Sequence, residues 1–299
     1  LWIEAFNSTV ISCRHQMKDG FEGVVALAVT ASTHNAVLIG DDGNVLRRCI
    51  MWNDQRSGDQ CRRLNEQYGQ RIFEVGMQMP TPTWTLPQLM WVKEHEPEVY
   101  SKIRKILFTK DYIRSYVTGD FCTDVVDAQG SLLYDAERKS WSEELCSMIG
   151  LPLSTLPPIC RTKDVVGKVR CEVAELTGLP QNLPVIAGCS DTAAEDFSAG
   201  AINQGQIIVK LATAGNVNLV TNQAHPHAKA FTYPYSVEGK WYTVTATNSC
   251  ASAYRWMRDA LFPAEYAQCE KERLDIYELM DKLAAESELG CRGLIFHPY

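Results

Sequence analysis

The sequence Pro-Val-Ile-Ala-Gly-Cys-Ser-Asp-Thr at residues 184–192 gives the strongest indication of the fold. Residues 184–187 are a short apolar run bounded by turn-forming residues, which is typical of a buried strand. The strand ends at Gly188, and Asp191 stands where a helix begins. Open α/β sheets bind ligands at such carboxyl ends of strands, so the stretch predicts an α/β fold and a candidate site at Asp191.

Two interpretations of Asp191 remain open from these residues alone. Ser190 or Asp191 could cap the helix by accepting hydrogen bonds from its first amides. Alternatively, the Asp191 carboxylate could accept the proton of a hydroxyl that attacks a phosphoryl group.

Other common catalytic motifs do not fit the chain. Gly188 to Thr192 begins like the G-x-S-x-G elbow of α/β-hydrolases, but Thr192 stands where the tight turn favours glycine. The chain contains neither a G-x-x-x-x-G-K-[ST] loop nor a G-x-G-x-x-G turn. A serine hydrolase, a Walker-type ATPase and a Rossmann enzyme are therefore disfavoured.

The segments around this stretch alternate between predicted helices and strands. We expect a helix over 1–19, strands over 24–31, 36–39 and 45–51, and helices over 57–69 and 86–95. After Gly200 the pattern changes to strands at 207–211, 216–220 and 241–246, which predicts a second domain from about residue 198. A helix over 270–289 and a strand over 294–296 are expected near the end.

The overall composition favours a small-molecule partner. The 299 residues include 29 Lys plus Arg and 36 Asp plus Glu, for a net charge of −7, which argues against nucleic acid and anionic membranes as partners. The longest apolar run, residues 24–31, is too short to span a bilayer. The 11 cysteines include no C-x-x-C pair, so we expect reduced thiols and a cytoplasmic protein.

Three further segments are candidate binding elements. Small residues and a hydroxyl at 212–215 could present backbone amides to phosphate, although a plain β-turn is the alternative interpretation. Trp52 to Arg56 could form a turn in which Asp54 or Ser57 caps the next helix. His34, between two strands, has the ordinary alternative of a core or edge histidine.

Taken together, the motifs closely resemble those of the FGGY family of carbohydrate kinases, and family members that phosphorylate xylulose are the nearest by motif. No single motif carries the resemblance, which covers essentially the whole chain. The matching segments are the apolar strand at 24–29 with Thr33-His34, W-N-D-Q-R at 52–56, W-V-K-E-H at 91–95, K-D-Y at 110–112, G-x-x-D-x-A-A at 188–194, the phosphate turn at 210–215 and G-L-I-F-H-P-Y at 293–299.

The resemblance implies an actin-like, ribonuclease H-like ATPase fold with two domains around a cleft. Residues 1–197 would form the N-terminal, sugar-binding domain, and residues 198–299 would begin the C-terminal, ATP-binding domain. Family members open with an Asp-x-Gly-Thr loop and carry an adenosine pocket beyond the last segment. We therefore expect this chain to be the central part of a longer protein and to be inactive alone.

The implied activity is transfer of a phosphoryl group from ATP, as its Mg²⁺ complex, to a sugar hydroxyl. D-xylulose, giving D-xylulose 5-phosphate, is the first expectation, and another ketose or polyol such as ribulose or glycerol is the alternative. A catalytically inactive sugar-binding regulator is the alternative of another class. A homodimer is an expectation from the family only.

The resemblance also implies roles for individual residues. Asp191 would be the catalytic base, and no residue of this chain is predicted to ligate a metal on its own. The implied sugar-binding residues are Thr33, His34, Trp52, Asn53 and Thr192, and the implied phosphate-binding residues are Thr213, Ala214 and Gly215. Ala212 and Ala214 depart from the family's glycine and serine, which removes backbone freedom and a hydroxyl donor.

Overall fold

The computed structural model describes residues 1–247 and 249–297, which divide into two compact units. Unit 1 comprises Leu1–Gln206 and Val220–Thr243, and unit 2 comprises Ile207–Leu219 and the chain from Val244 onward. This division reflects which residues contact one another within the chain, and it does not test a family domain boundary. The family domain boundary expected after residue 197 stays a prediction. Asn248, in the segment before the last group of helices, and the Pro298-Tyr299 end of the final motif lie outside the described residues.

Helices and short strands alternate through unit 1. The helices are α1 (Trp2–Gln16), α2 (Gly58–Gly76), α3 (Thr85–His95), α4 (Pro97–Ser101), α5 (Thr109–Thr118), α6 (Val125–Gly130), α7 (Glu143–Ile149), α8 (Cys171–Thr177) and α9 (Asp191–Ser198). The strands are β1 (Leu27–Ala28), β2 (Ala36–Ile39), β3 (Lys105–Phe108), β4 (Thr123–Asp124), β5 (Tyr134–Asp135), β6 (Ser140–Trp141), β7 (Ile159–Cys160), β8 (Val165–Lys168) and β9 (Pro184–Ile186).

Helix α1 covers one of the apolar clusters of unit 1. Its Phe6 and Val10 are one helical turn apart and pack on buried residues that come from α5, α8 and the segments around them. The buried members of this cluster are Val117, Val169, Val173, Leu179, Leu183 and Val185. The predicted opening helix is confirmed, and its last helical residue is Gln16.

Three sets of strands organise the site-bearing part of unit 1. Strand β1 is parallel to β9, with Leu27 opposite Val185, and β8 is antiparallel to β9. Strands β2 and β3 are antiparallel, and β4 is parallel to β7. The parallel β1–β9 pair places the end of β9 beside the chain that follows β1, because parallel strands end at the same edge.

The strand predicted over 45–51 is wrong. Val45 forms an isolated bridge to Ile39 of β2, and the Leu46 amide donates to the Leu38 carbonyl at 2.9 Å, but residues 46–51 form no strand. Side chains hold the rest of this segment: Arg47 pairs with Glu96 at 2.6 Å, and the Cys49 thiol donates to the Ala36 carbonyl at 3.1 Å. Residues 46–51 therefore lack the regular backbone ladder that the apolar pattern indicated, and side-chain contacts anchor Arg47 and Cys49.

Unit 2 contains a hairpin and a group of helices. Strand β10 (Ile207–Leu211) is antiparallel to β11 (Gly215–Thr221), with Leu211 opposite Gly215. Strands β11 and β13 (Trp241–Thr247) each contain residues of both units, and β12 (Phe231–Pro234) belongs to unit 1. The helices are α10 (Ala251–Leu261), α11 (Pro263–Glu272) and α12 (Ile276–Ala285).

Two predictions for the last segment are wrong. The helix expected over 270–289 is divided, because Arg273 adopts a left-handed conformation with φ 57° and Asp275 caps α12 by accepting from the Tyr277 amide at 2.9 Å. Residues 294–296 form no strand and are exposed. No helix in the described ranges is long and apolar enough to cross a bilayer.

Candidate active site

A tight turn after β9 delivers Asp191 to the start of α9. Gly188 has φ +77°, and a Cβ added there would lie 2.4 Å from the Val29 carbonyl oxygen. Both the left-handed backbone and the close approach of the chain after β1 therefore require glycine. The predicted progression from strand to turn to helix is confirmed at this position.

The Asp191 side chain is exposed at the N-terminus of α9. Ser190 is the N-cap, because its hydroxyl accepts from the Ala193 amide at 3.4 Å. Asp191 Oδ1 accepts from the Thr192 amide at 2.8 Å, and in the part of the chain that the structure describes no partner contacts Oδ2. One carboxylate oxygen is thus held by the backbone, and the other remains available to a ligand.

The loop at residues 30–34 lies directly beside Asp191. The Asp191 amide donates to the Ala31 carbonyl at 3.0 Å, and the Thr30 hydroxyl donates to the Cys189 carbonyl at 2.9 Å. The backbones of Ala31 and Ser190 also form a parallel bridge. The 30–34 loop and the N-terminus of α9 therefore form one continuous surface.

His34 is held by its backbone on both sides. It has φ 53°, an uncommon conformation for a residue other than glycine. Its amide donates to Asp127 Oδ1 at 2.8 Å, and its carbonyl accepts from the Thr85 hydroxyl at 2.6 Å. These two buried contacts stabilise a conformation that the local sequence disfavours.

The His34 ring packs against Trp84 at a centroid distance of 4.4 Å. Burial lowers the pKa of His34 to about 3, so the imidazole is neutral at physiological pH. Among the described residues, neither His34 Nδ1 nor Trp84 Nε1 has a hydrogen-bond partner, although both atoms are buried. Buried polar atoms are normally paired, so these two could contact a polar ligand.

A buried charge cluster holds the Asp127 carboxylate behind His34. Lys110 Nζ lies 2.5 Å from Asp111 Oδ1, 2.5 Å from Asp124 Oδ2 and 2.9 Å from Asp127 Oδ2. Burial alone would lower the pKa of Lys110, but the three carboxylates outweigh it and hold that pKa well above its ordinary value. Burial and the other two carboxylates raise the pKa of Asp127 to about 7, against the opposing charge of Lys110.

The same cluster is the obvious place to test for a cation. Within the described residues, Asp111, Asp124 and Asp127 are the one set of three metal-ligating side chains close enough to share an ion. The Lys110 ammonium already contacts all three. The cluster therefore fits a protein ammonium rather than Mg²⁺, and no catalytic step is assigned to a metal held there.

The segment Trp52 to Arg56 forms an exposed turn with firm anchors. Trp52 is 50% exposed, and Asn53 is exposed beside it. Asp54 accepts from the Arg56 side chain at 2.9 and 2.7 Å, which lowers the pKa of Asp54. The Arg56 guanidinium lies 5.0 Å from the Trp91 ring centroid. The Trp52 indole is thus presented to solvent from a fixed turn.

The turn at residues 212–215, in unit 2, is held by backbone contacts. The Ala251 amide donates to the Ala212 carbonyl, and the Cys250 amide donates to the Thr213 carbonyl, both at 2.9 Å. Thr213 and Ala214 are exposed at its tip. A Cβ on Gly215 would lie 3.0 Å from the Cβ of Cys250, the N-cap of α10, so this close contact favours the absence of a side chain at residue 215.

The structure therefore brings together Asp191, Thr192, Thr33 and His34 within unit 1, and it places Thr213, Ala214 and Gly215 on one turn of unit 2. Sequence reasoning missed the residues that contact His34, which are Trp84, Thr85, Asp127 and Gly130, and those behind them, Lys110 against Asp127 and Tyr233 against Trp84. The signal that could have indicated this support is the charged residue Lys110, which stands among apolar residues in the sequence. Burial, with the charges of Asp127 and Asp191, raises the pKa of the Tyr233 phenol nearby.

Solved structures share this architecture. The crystal structure of a xylulose kinase from Rhodospirillum rubrum matches with a TM-score of 0.89 and 26% identity, covering 99% of this chain and 60% of that protein. The fold is accordingly that of the sugar kinases, an actin-like ATPase fold, and the predicted fold class is confirmed.

The sequence comparison gives the family. The model for the N-terminal domain of the FGGY family of carbohydrate kinases matches residues 1–198, so the chain belongs to this family, as its motifs predicted. A xylulose kinase of Lactococcus lactis is 29% identical over 299 residues, covering 100% of this chain, and one of Bacillus subtilis is 30% identical, covering 99%. The chain spans 58% and 57% of the lengths of these two relatives.

Proposed function

We propose that the protein containing this chain transfers the γ-phosphoryl group of ATP to a hydroxyl of a sugar, with D-xylulose as the leading candidate substrate. The observation that carries the proposal is the open carboxylate of Asp191, which is hydrogen-bonded through its own amide to the loop that holds His34. The xylulose kinases among the relatives support this substrate class. Residues 1–197 would provide the sugar-binding domain, and residues 198–299 the start of the ATP-binding domain.

The proposed reaction needs one proton acceptor and careful positioning. Asp191 Oδ2 takes the proton of the attacking primary hydroxyl of the sugar. At the same time, the oxygen of that hydroxyl forms a bond to the γ-phosphorus. The bond from that phosphorus to the bridging oxygen breaks, and ADP leaves. The products are the sugar phosphate, ADP and a proton that Asp191 returns to solvent. Phosphoryl transfer depends mainly on alignment and charge neutralisation, which a carboxylate fixed at a helix start can support.

Sugar recognition is assigned to the 30–34 loop and the Trp52 turn. A neutral His34 can exchange a hydrogen bond with a sugar hydroxyl, since its Nδ1 has no partner in the described protein. The exposed Trp52 ring would cover an apolar face of the sugar, with Asn53, Thr33 and Thr192 as polar contacts. Ketose or polyol relatives of xylulose, such as ribulose and glycerol, are the alternative substrates.

Phosphate binding is assigned to the 212–215 turn, where Thr213, Ala214 and Gly215 present backbone and hydroxyl groups. Mg²⁺ would arrive as a complex with ATP and would offset phosphate charge. Ala214, exposed where the family carries serine, favours one second candidate function, a sugar-binding regulator without catalysis.

The test is sugar-dependent ADP release by the full-length protein with Mg²⁺ and ATP across ketopentoses, ketohexoses and polyols. We expect one sugar to stimulate turnover and Asp191→Asn to reduce kcat by about 10²- to 10⁴-fold, the usual contribution of a general base. Asp59→Asn is the matched control, because Asp59 is also an exposed acid in the first turn of a helix.

Three outcomes separate the candidates. Turnover that is lost in Asp191→Asn and kept in Asp59→Asn supports both the kinase and the role of Asp191. Sugar binding by calorimetry without ADP release under any condition favours the regulator. Full turnover of Asp191→Asn would overturn its assignment as the base.

A further inference from the structure

Two half-buried cysteines lie in contact on neighbouring strands of unit 1. Cys122 immediately precedes β4, and Cys160 is the last residue of β7, which runs parallel to β4. Their Sγ atoms are 3.6 Å apart. A disulfide has an S–S distance of about 2.05 Å, so the two sulfurs must move closer by about 1.6 Å to form one.

Both thiols have polar partners besides each other. Cys122 Sγ donates to Asp120 Oδ2 at 3.0 Å, and the Cys160 thiol donates to the Thr123 carbonyl at 2.9 Å. Contact between the two thiols raises the pKa of Cys122 and lowers that of Cys160, and the charge of the Arg114 guanidinium acts to lower both. A guanidinium beside the pair therefore stabilises a thiolate at either sulfur.

We propose that Cys122 and Cys160 form a dithiol modification site that low-molecular-weight disulfides oxidise reversibly to an intramolecular disulfide. The thiolate of one cysteine attacks one sulfur of the small disulfide, forms a mixed disulfide and releases one thiolate. The other cysteine then loses its proton to solvent and attacks the protein sulfur of the mixed disulfide, which releases the second thiolate. The protein loses two hydrogens, and the small disulfide is reduced to two thiols.

The buried charge network tolerates this change. The Arg114 guanidinium donates to Cys122 Sγ at 3.1 Å, but it also donates to the Ala187 carbonyl at 2.7 Å, the Cys122 carbonyl at 2.6 Å and Asp120 Oδ2 at 3.0 Å. Arg114 therefore remains paired when Cys122 becomes part of a disulfide. The pair can react without leaving an unpaired buried charge, which would be costly.

The test uses reduced full-length protein, oxidised glutathione as the probe, and trapping of remaining thiols by alkylation. Tryptic cleavage separates Cys122, in the peptide 115–138, from Cys160, in the peptide 140–161. We expect a crosslinked pair that is two hydrogen masses lighter than the sum of peptide 115–138 and peptide 140–161 alkylated at Cys146, and that disappears on reduction. Because Cys146 shares the second peptide, fragmentation must place the link at Cys160.

Single variants show whether both thiols are needed. We expect Cys122→Ser and Cys160→Ser each to retain one glutathione on the remaining cysteine, because no second thiol is present to displace it. The exposed Cys13, Cys171 and Cys291 serve as internal controls that take up single adducts.

Two results would overturn the proposal. They are glutathione on Cys13, Cys171 or Cys291 without any link between residues 122 and 160, and a link placed at Cys146. This test does not depend on sugar phosphorylation, so its result is independent of the proposed function.

Discussion

The 30–34 loop and the 212–215 turn are two candidate ligand-binding segments that different kinds of contact hold in place. Buried groups from distant parts of the sequence hold His34 in the loop: Asp127 and Thr85 contact its backbone, and Trp84 contacts its ring. The turn is exposed, and backbone amides at the start of α10 hold it through two carbonyl oxygens.

This difference indicates where each segment is sensitive to substitution. A change in the charge cluster behind His34 leaves buried charges without partners, and such groups cost several kcal/mol. A side-chain change at the tip of the turn leaves its backbone contacts intact. We therefore expect large effects around the loop and small ones at the turn.

The largest effect is expected for Lys110→Met. This change removes the only ammonium that contacts Asp111, Asp124 and Asp127 in the described structure, so we expect the free energy of unfolding to fall by about 3–5 kcal/mol. Urea denaturation of the full-length protein measures the loss. Lys163→Met, which removes an exposed partner of Glu238, is the control and should leave the urea midpoint nearly unchanged. Equal midpoints for the two variants would contradict the structural importance of the cluster.

A smaller effect is expected for Gly130→Ala. The added Cβ would lie 2.8 Å from Thr33 Cγ2 and 3.2 Å from His34 Cδ2, so the loop must shift. Strain of about 1–3 kcal/mol should raise the KM for sugar by about tenfold and leave the KM for ATP unchanged. Gly58→Ala, where nothing lies within 4 Å of the added atom, is the control. An unchanged sugar KM in Gly130→Ala would remove His34 and Thr33 from the proposed sugar site.

The pH dependence of stability offers a test of the buried groups behind the loop. The pKa of His34 is lowered to about 3, so between about pH 3 and 6.5 the unfolded state binds the extra proton, and this group makes stability rise with pH. The pKa of Asp127 is raised to about 7, so between about pH 4 and 7 the folded state binds the extra proton, and stability falls with rising pH. The two contributions oppose each other over most of this range.

Paired variants separate these contributions. Relative to the unsubstituted protein, His34→Gln should lose stability as pH rises from about 4 to 6.5, and Asp127→Asn should gain it, each by up to about 1.4 kcal/mol per pH unit. Urea titrations at several pH values measure both slopes. Parallel pH profiles for the two variants would contradict the opposite shifts.

The smallest effect is expected for Ala214→Ser at the turn. A hydroxyl at the exposed tip can add one hydrogen bond to phosphate, worth about 0.5–1.5 kcal/mol, so the KM for ATP should fall by about two- to tenfold. Stability should not change, because the backbone contacts of the turn are retained. Ala228→Ser, on an exposed loop of unit 1, controls for added polarity. A loss of stability as large as that of Lys110→Met would remove the contrast between the two segments.

Local patterns predicted the elements whose ends are marked in the sequence. Gly119 and Gly178 both adopt a left-handed conformation and end α5 and α8, as glycine commonly does at helix ends. Prediction failed in the segment of Arg47 and Cys49 after β2, where side-chain contacts are present and a backbone ladder is not. It also failed at Arg273, where a residue other than glycine takes a left-handed conformation and divides the expected helix.

For the candidate site, the sequence alone determined the α/β class, the family, and the progression from strand through Gly188 to Asp191. These features depend on local spacing, on a glycine that no other residue could replace, and on motifs in a set order. Only the tertiary structure decided that Ser190 caps α9, that Asp127 and Thr85 hold His34, and that Lys110 stands among three carboxylates. The Ser190 cap is a local contact that the sequence left open between Ser190 and Asp191. The contacts of His34 join residues far apart in the chain, and their strength comes from burial, which sequence spacing does not specify.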